Sequence, residues 1–183
     1  MSERSRRLFL ILLLSVFLSV PLSHAADVPS ASQVMSEAKA QAASQHKGIL
    51  LIFGASWCGW CRKLEQLDSV PEVSVILDKN DIIVHLTVLE HKDKAQLDNP
   101  GAEELMKSLG GQGSLPFFAF LDADAQPIVT SNRPSALPPD RNIGFPGNAD
   151  EIAWYLAMVR KAVPSLTADQ ERMLENRINA LLH

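Results

Sequence analysis

The chain has 183 residues, a formal net charge of −4, and hydrophobic residues at 46% of positions. Beyond a few arginines at the N-terminus there is no basic block, which sets nucleic acid aside as a partner. Two cysteines are too few for a framework of structural disulfides.

The first residues read as an address. Arg4, Arg6 and Arg7 precede an apolar run from Leu8 to Val20, and Pro21-Leu22-Ser23-His24-Ala25 offers small residues at the −3 and −1 positions of a cleavage site. Residues 1–25 are therefore expected to be a signal peptide cut after Ala25. An uncleaved anchor is the alternative, although thirteen residues fall short of the roughly 20 that span a bilayer. No cysteine follows the run to take a lipid, and the chain ends Ala180-Leu181-Leu182-His183 without a K-D-E-L-type tail. Both points fit export to a bacterial periplasm or secretion. Without residues 1–25, 158 residues remain, with 14 basic against 20 acidic side chains, a net charge of −6. That length suits one domain, residues 26–183.

Ser32 to Lys47, with Val34, Ala38, Ala42 and Ala43 at helical offsets, predicts a helix capped by Gly48. Ile49–Phe53 is a continuous apolar run and reads as a buried strand. A helix from about Cys58 to Leu67 follows, then a helical stretch from Pro71, which suits a first turn, to Leu77. Asp81 to Glu90 is the next strand, His91 to Asn99 a polar loop, and Gly101 to Leu109 a short helix. Phe117–Leu121 and Ile128–Thr130 pair as a hairpin turned by residues 122–127. Residues 131–147 hold four prolines and two glycines and read as an irregular insertion. Asn148 with Glu151 is a capping-box pattern, and Ile152, Leu156, Val159 and Val163 form a packing stripe ended by Pro164. Thr167 with Gln170 caps a last helix, about 167–182, whose apolar face is Leu174, Ile178 and Leu181. The β-α-β start and β-β-α end predict an α/β sandwich, a mixed central sheet flanked by helices.

Chemistry concentrates at Trp57-Cys58-Gly59-Trp60-Cys61, which holds both cysteines. A C-x-x-C pair after a strand, at the start of a helix, is a dithiol redox motif. A helix N-terminus presents unpaired N–H groups and partial positive charge, which favour a thiolate at Cys58. Cys61, one turn on, can attack a mixed disulfide formed there. The strand-to-helix setting is expected to leave Cys58 exposed and Cys61 more buried. A pair of inert buried thiols is the bland alternative. A structural role is weak, because a two-residue spacing closes a tiny loop and gains little from the crosslink.

The strand, Ala55-Ser56-Trp57-Cys58-Gly59-Trp60-Cys61, the helix through Arg62-Lys63-Leu64-Glu65-Gln66-Leu67, and Ser114-Leu115-Pro116-Phe117-Phe118 some 50 residues later resemble the thioredoxin superfamily. The resemblance covers roughly Val34 to Lys161 (core about 34–163) and is strongest to exported thioredoxin-like proteins with W-C-x-W-C. It implies a three-layer thioredoxin-like sandwich with one helix added at the C-terminus. It implies a cis-proline loop at Pro116, with Leu115 pairing through its backbone with substrate. Gly59 and Trp60 would tune the reduction potential, expected between about −270 and −120 mV. One position departs from the family: the buried acid six residues before the first cysteine is replaced by Ile52, so the acceptor of the Cys61 proton is unassigned.

Trp57 and Trp60 are expected to form an apolar rim for substrate, with core packing as the alternative. Phe117, Phe118 and Phe120 read as core. Arg62 and Lys63 either hold thiolate charge or are solvated helix surface, and Glu65 reads as an exposed helix residue. His46, His85 and His91 lack zinc-site spacing, and Arg62 stands where haem attachment needs histidine. No metal or organic cofactor is implied. Residues 142–147 read as structural, with contact to a partner near the proline loop as the alternative. The expected activity is thiol–disulfide exchange on protein disulfides, with Cys58 as nucleophile and Cys61 as resolving thiol. Reduction is expected, fed by a membrane-bound or other thiol donor. Oxidation or isomerisation, and a partner-binding, chaperone-like module, are the alternatives.

Overall fold

A computed structural model describes residues 28–134 and 141–183. The expected signal, residues 1–25, and residues 135–140 of the irregular insertion lie outside the described residues.

Helix α1 spans Ala31–Gln45 and starts at a capping box in which Ser30 accepts from the Gln33 N–H. Its left-handed cap is His46 (φ 55°), not Gly48. Gly48 instead opens β1, Gly48–Gly54. Glycine is needed there because two groups close on its Cα. A Cβ would lie 2.7 Å from Asp81 Oδ1 and 2.8 Å from the Leu121 carbonyl oxygen.

Helix α2 spans Gly59–Asp68 and α3 spans Pro71–Asn80, with Pro71 in the first turn as expected. Strand β2, Asp81–Thr87, is shorter than the apolar pattern suggested. After it the chain bends through Leu89 (φ 59°) into a 3₁₀ turn over Lys92–Leu97, where a plain loop was expected. Helix α4 spans Ala102–Ser108. Strands β3, Phe117–Leu121, and β4, Pro127–Thr130, form the expected hairpin, with a register shift at Phe120/Leu121.

Helix α5 spans Ala149–Ala162. Its cap is half of the expected box. Asn148 accepts from the Glu151 N–H at 3.1 Å, but the Glu151 carboxylate accepts from the Gly147 N–H at 2.8 Å rather than from residue 148. Helix α6, Ala168–Leu182, carries the full Thr167/Gln170 box.

The strands lie in the order β2-β1-β3-β4, with β1 parallel to β2 and antiparallel to β3. Side chains alternate across the two central strands. Ile49, Leu51, Phe53, Phe117 and Ala119 pack toward α1 and α4. Leu50, Ile52, Phe118 and Phe120 pack toward α2, α3, α5 and α6. Both faces are covered, which explains the unbroken apolar runs of β1 and β3. The stripe Ile152, Leu156, Val159 and Val163 is buried, and so are Leu174 and Ile178. Helix α6 therefore completes the second layer, sealing the outer side of α2, α3 and α5. No helix among the described residues is long and apolar enough to cross a membrane.

Candidate active site

Strand β1 ends at Gly54, and a short turn brings Cys58 to the N-cap of α2. The Cys58 N–H donates to the Ala55 carbonyl at 3.0 Å, which closes that turn. Cys58 and Cys61 are joined in a disulfide with an S–S distance of 2.04 Å. Cys58 Sγ accepts from the Cys61 N–H at 3.1 Å, taking the place of a side-chain oxygen cap. In the reduced protein the same donor and the helix dipole favour a thiolate on Cys58.

The expected exposure of Cys58 needs correction. It is 3% exposed and Cys61 is 5% exposed, so the two are buried alike. The reason is local: Cys58 Sγ is turned back over the first turn of α2, where it caps the helix and bonds to Cys61. Exposure belongs to the flanking residues. Trp57 and Trp60, which flank the first cysteine in sequence, are 44% and 52% exposed rather than packed in the core.

Each tryptophan is anchored. Trp57 Nε1 donates to the Leu89 carbonyl at 2.8 Å, and its ring stacks on His91 at 5.4 Å between centroids. Trp60 stacks on Phe145 at 6.0 Å, with Lys63 Nζ 5.3 Å from its ring centre. Lys63 Nζ also donates to the Leu181 carbonyl at 2.6 Å, and Arg62 Nη1 to the Ser56 carbonyl at 3.0 Å. Both cations are thus committed to backbone oxygens rather than to the sulfurs, a third outcome beside the two expected.

The Leu115–Pro116 peptide bond is cis. Asn142 braces that loop, its Nδ2 donating at 3.0 Å to both the Ser114 and the Pro116 carbonyls. Gly144 (φ 56°) packs on the same loop, where a Cβ would sit 3.7 Å from Pro116 Cδ. Phe145 is buried in the core under Trp60. Residues 142–145 and Gly147 also wall a groove of about 300 Å³ between Trp60 and Leu115. Two parts of the expected site meet in that groove. Pro116 is buried just behind it.

On the other side of Cys61 lies a larger cavity of about 570 Å³, lined by Cys61, Glu65, Arg62, His85 and Glu90 among others. Glu90 accepts from the Ser56 N–H and, at 2.8 Å, from Ser56 Oγ. The Ser56 N–H bond, more than any other influence, holds the Glu90 carboxyl below its usual range. Two turns past Cys61, Asp68 is buried, and neither carboxylate oxygen has a hydrogen-bond partner among the described residues. Burial, reinforced by Glu65 and Asp78, raises its pKa to about 7. Asn142, His85, Glu90 and Asp68 were not legible as site residues. Their places depend on strand register and loop closure, which local sequence does not encode.

A family model described as thioredoxin-like matches residues 31–123. The chain belongs to that family. The thioredoxin-like match runs from α1 through β3 and contains both the C-x-x-C disulfide and the cis-proline loop. Family and disulfide together make the protein a thioredoxin-like disulfide oxidoreductase. No curated protein matches it. Among solved structures, it is similar to a disulphide isomerase from Xylella fastidiosa Temecula1, at 17% identity over 91% of this chain and 99% of that one, TM-score 0.47. It is also similar to a DsbH oxidoreductase, at 23% identity over 70% of this chain and 81% of that one, TM-score 0.47. A third is the C-terminal domain of Neisseria meningitidis DsbD in its oxidised form, at 19% identity over 57% and 86%, TM-score 0.40.

Proposed function

We propose that this thioredoxin-like protein reduces disulfides of protein substrates in an exported compartment. The observation that carries the reading is the placement of Cys58. It caps α2, is bonded to Cys61, and lies between two anchored but exposed tryptophans. Apolar surface beside a thiolate suits the exposed apolar segments of unfolded or partly folded chains.

In the forward reaction the Cys58 thiolate attacks a substrate disulfide. One substrate thiolate leaves, and the other sulfur stays on Cys58 as a mixed disulfide. Cys61 loses its proton and attacks Cys58 Sγ. The second substrate thiolate leaves, and the Cys58–Cys61 disulfide closes. Two electrons pass from the dithiol to the substrate. A thiol donor, membrane-bound or otherwise, then returns the protein to the dithiol. The export reading rests on residues 1–25, and the core from about 34 to 163 with the added helix reads as one domain.

Leu115 and Trp60 line the groove beside the disulfide, and we assign them to substrate contact together with Trp57, Gly59 and Pro116. Trp60→Ala is expected to raise KM for insulin reduction about three- to tenfold, the value of one aromatic contact, with kcat little changed. An unchanged KM removes Trp60 from the substrate surface. Insulin binding by the reduced protein, without reduction, would favour the partner-binding module instead.

A further inference from the structure

Reduction of a substrate leaves one proton to place, that of the Cys61 thiol, and the buried position before the motif holds Ile52, which cannot take it. The sheet register supplies the neighbour. Ile52 of β1 pairs with His85 of β2, so the two side chains point to the same face of the sheet, the face covered by α2. Cys61 lies on α2, and Cys61, Glu65 and His85 line one continuous cavity of about 570 Å³. A space of that size, walled by polar groups, has room for water between the thiol and the imidazole.

We propose that His85 accepts the proton of the Cys61 thiol as Cys61 resolves the mixed disulfide on Cys58, an assignment that rests on the exchange reaction proposed above. Cys61 S–H gives its proton, through water in that cavity, to a neutral His85 ring nitrogen. The sulfur electron pair forms the bond to Cys58 Sγ, the Cys58–substrate bond breaks, and the substrate leaves as thiolate. His85 then passes the proton to solvent, to which its exposed side chain has access.

The charges around His85 favour this role. Among the side-chain types lining the cavity, imidazole titrates closest to neutral pH. Desolvation by the surrounding protein lowers the His85 pKa, which keeps the ring neutral and able to accept, while Glu65 opposes that shift. From α2 the ring faces Arg62 and Glu65. Arg62 is bonded to the Ser56 carbonyl. Beyond β2, Glu90 is held by Ser56. β1 brings only apolar Ile52. Helix α3 carries Asp78 and Lys79 at the end that joins the start of β2, four residues before His85.

The test mixes the reduced full chain with 5,5′-dithiobis(2-nitrobenzoate) and follows release of thionitrobenzoate. The first step reports attack by Cys58, the second attack by Cys61. His85→Gln is expected to leave the first step unchanged and to slow the second on the order of 10²-fold near pH 7, the low end for a general base. The two proteins should converge at alkaline pH, where hydroxide deprotonates Cys61 unaided. Glu65→Gln is expected to move the inflection of the second step to lower pH, because the opposing charge is gone. Slowing by the same factor at every pH marks a structural effect and overturns the assignment, as does an unchanged second step in His85→Gln. Failure of the first step in the wild-type chain overturns the proposed reaction itself, and this inference with it.

Discussion

Cys58→Ser is expected to abolish reduction of insulin, with a loss on the order of 10³-fold or more, while the fold is retained. A serine hydroxyl has no thiolate to offer and cannot form the mixed disulfide. It can still cap α2, because its oxygen can accept from the Cys61 N–H as the sulfur does now. Cys61→Ser should fail differently. Attack by Cys58 survives, but nothing resolves the product, so a stable mixed disulfide accumulates that mass spectrometry identifies. Normal turnover in Cys58→Ser would place the chemistry elsewhere, and turnover in Cys61→Ser without trapped substrate would remove the resolving role.

Asp68→Asn is expected to stabilise the protein above pH 7, by up to about 4 kcal/mol, and to change little near pH 4. The folded protein raises the Asp68 pKa from 3.8 to about 7. Between these values the unfolded chain has released the proton and the folded chain still holds it. Stability therefore falls as pH rises through that window, by about 1.4 kcal/mol per unit, and the full cost is present above pH 7. The cause is a carboxylate buried without a hydrogen-bond partner among the described residues, near the acidic side chains of Glu65 and Asp78. Asp81, buried at the start of β2, is also raised to about 7 and acts with the same sign. The variant should keep the Asp81 share of the slope and lose the Asp68 share. Urea denaturation at pH 4, 6 and 8 measures both, and equal pH dependence in variant and wild type would contradict the assignment.

Much of this fold was legible because each layer follows a simple period. The apolar runs of β1 and β3 announced strands covered on both faces, and the stripe from Ile152 to Val163 announced the core face of α5. The cap of α1 was misplaced by two residues. Histidine rather than glycine took the left-handed position, and Gly48 was needed instead for a close approach between strands. The dithiol pair and the flanking tryptophans are tied to one short motif, whereas the cis bond at Pro116 follows only from the family resemblance. Burial of Cys58 could not be read, because it depends on the sulfur turning back over the helix it caps. The position of His85 depends on its pairing with Ile52 of β1, far back along the chain. The commitment of Arg62 and Lys63 to carbonyl oxygens is likewise a product of tertiary closure.

The reductase reading turns most directly on the reduction potential of the Cys58–Cys61 pair, measured against glutathione buffers in the protein lacking residues 1–25. Trp60 brings no formal charge beside the disulfide, and Arg62 and Lys63 are held by carbonyls, so thiolate stabilisation rests mainly on the α2 N-terminus. The potential is expected at about −250 mV or lower, on the reducing side of the family range. A value near about −150 mV would contradict the reductase reading and assign the same site to oxidation or isomerisation of disulfides.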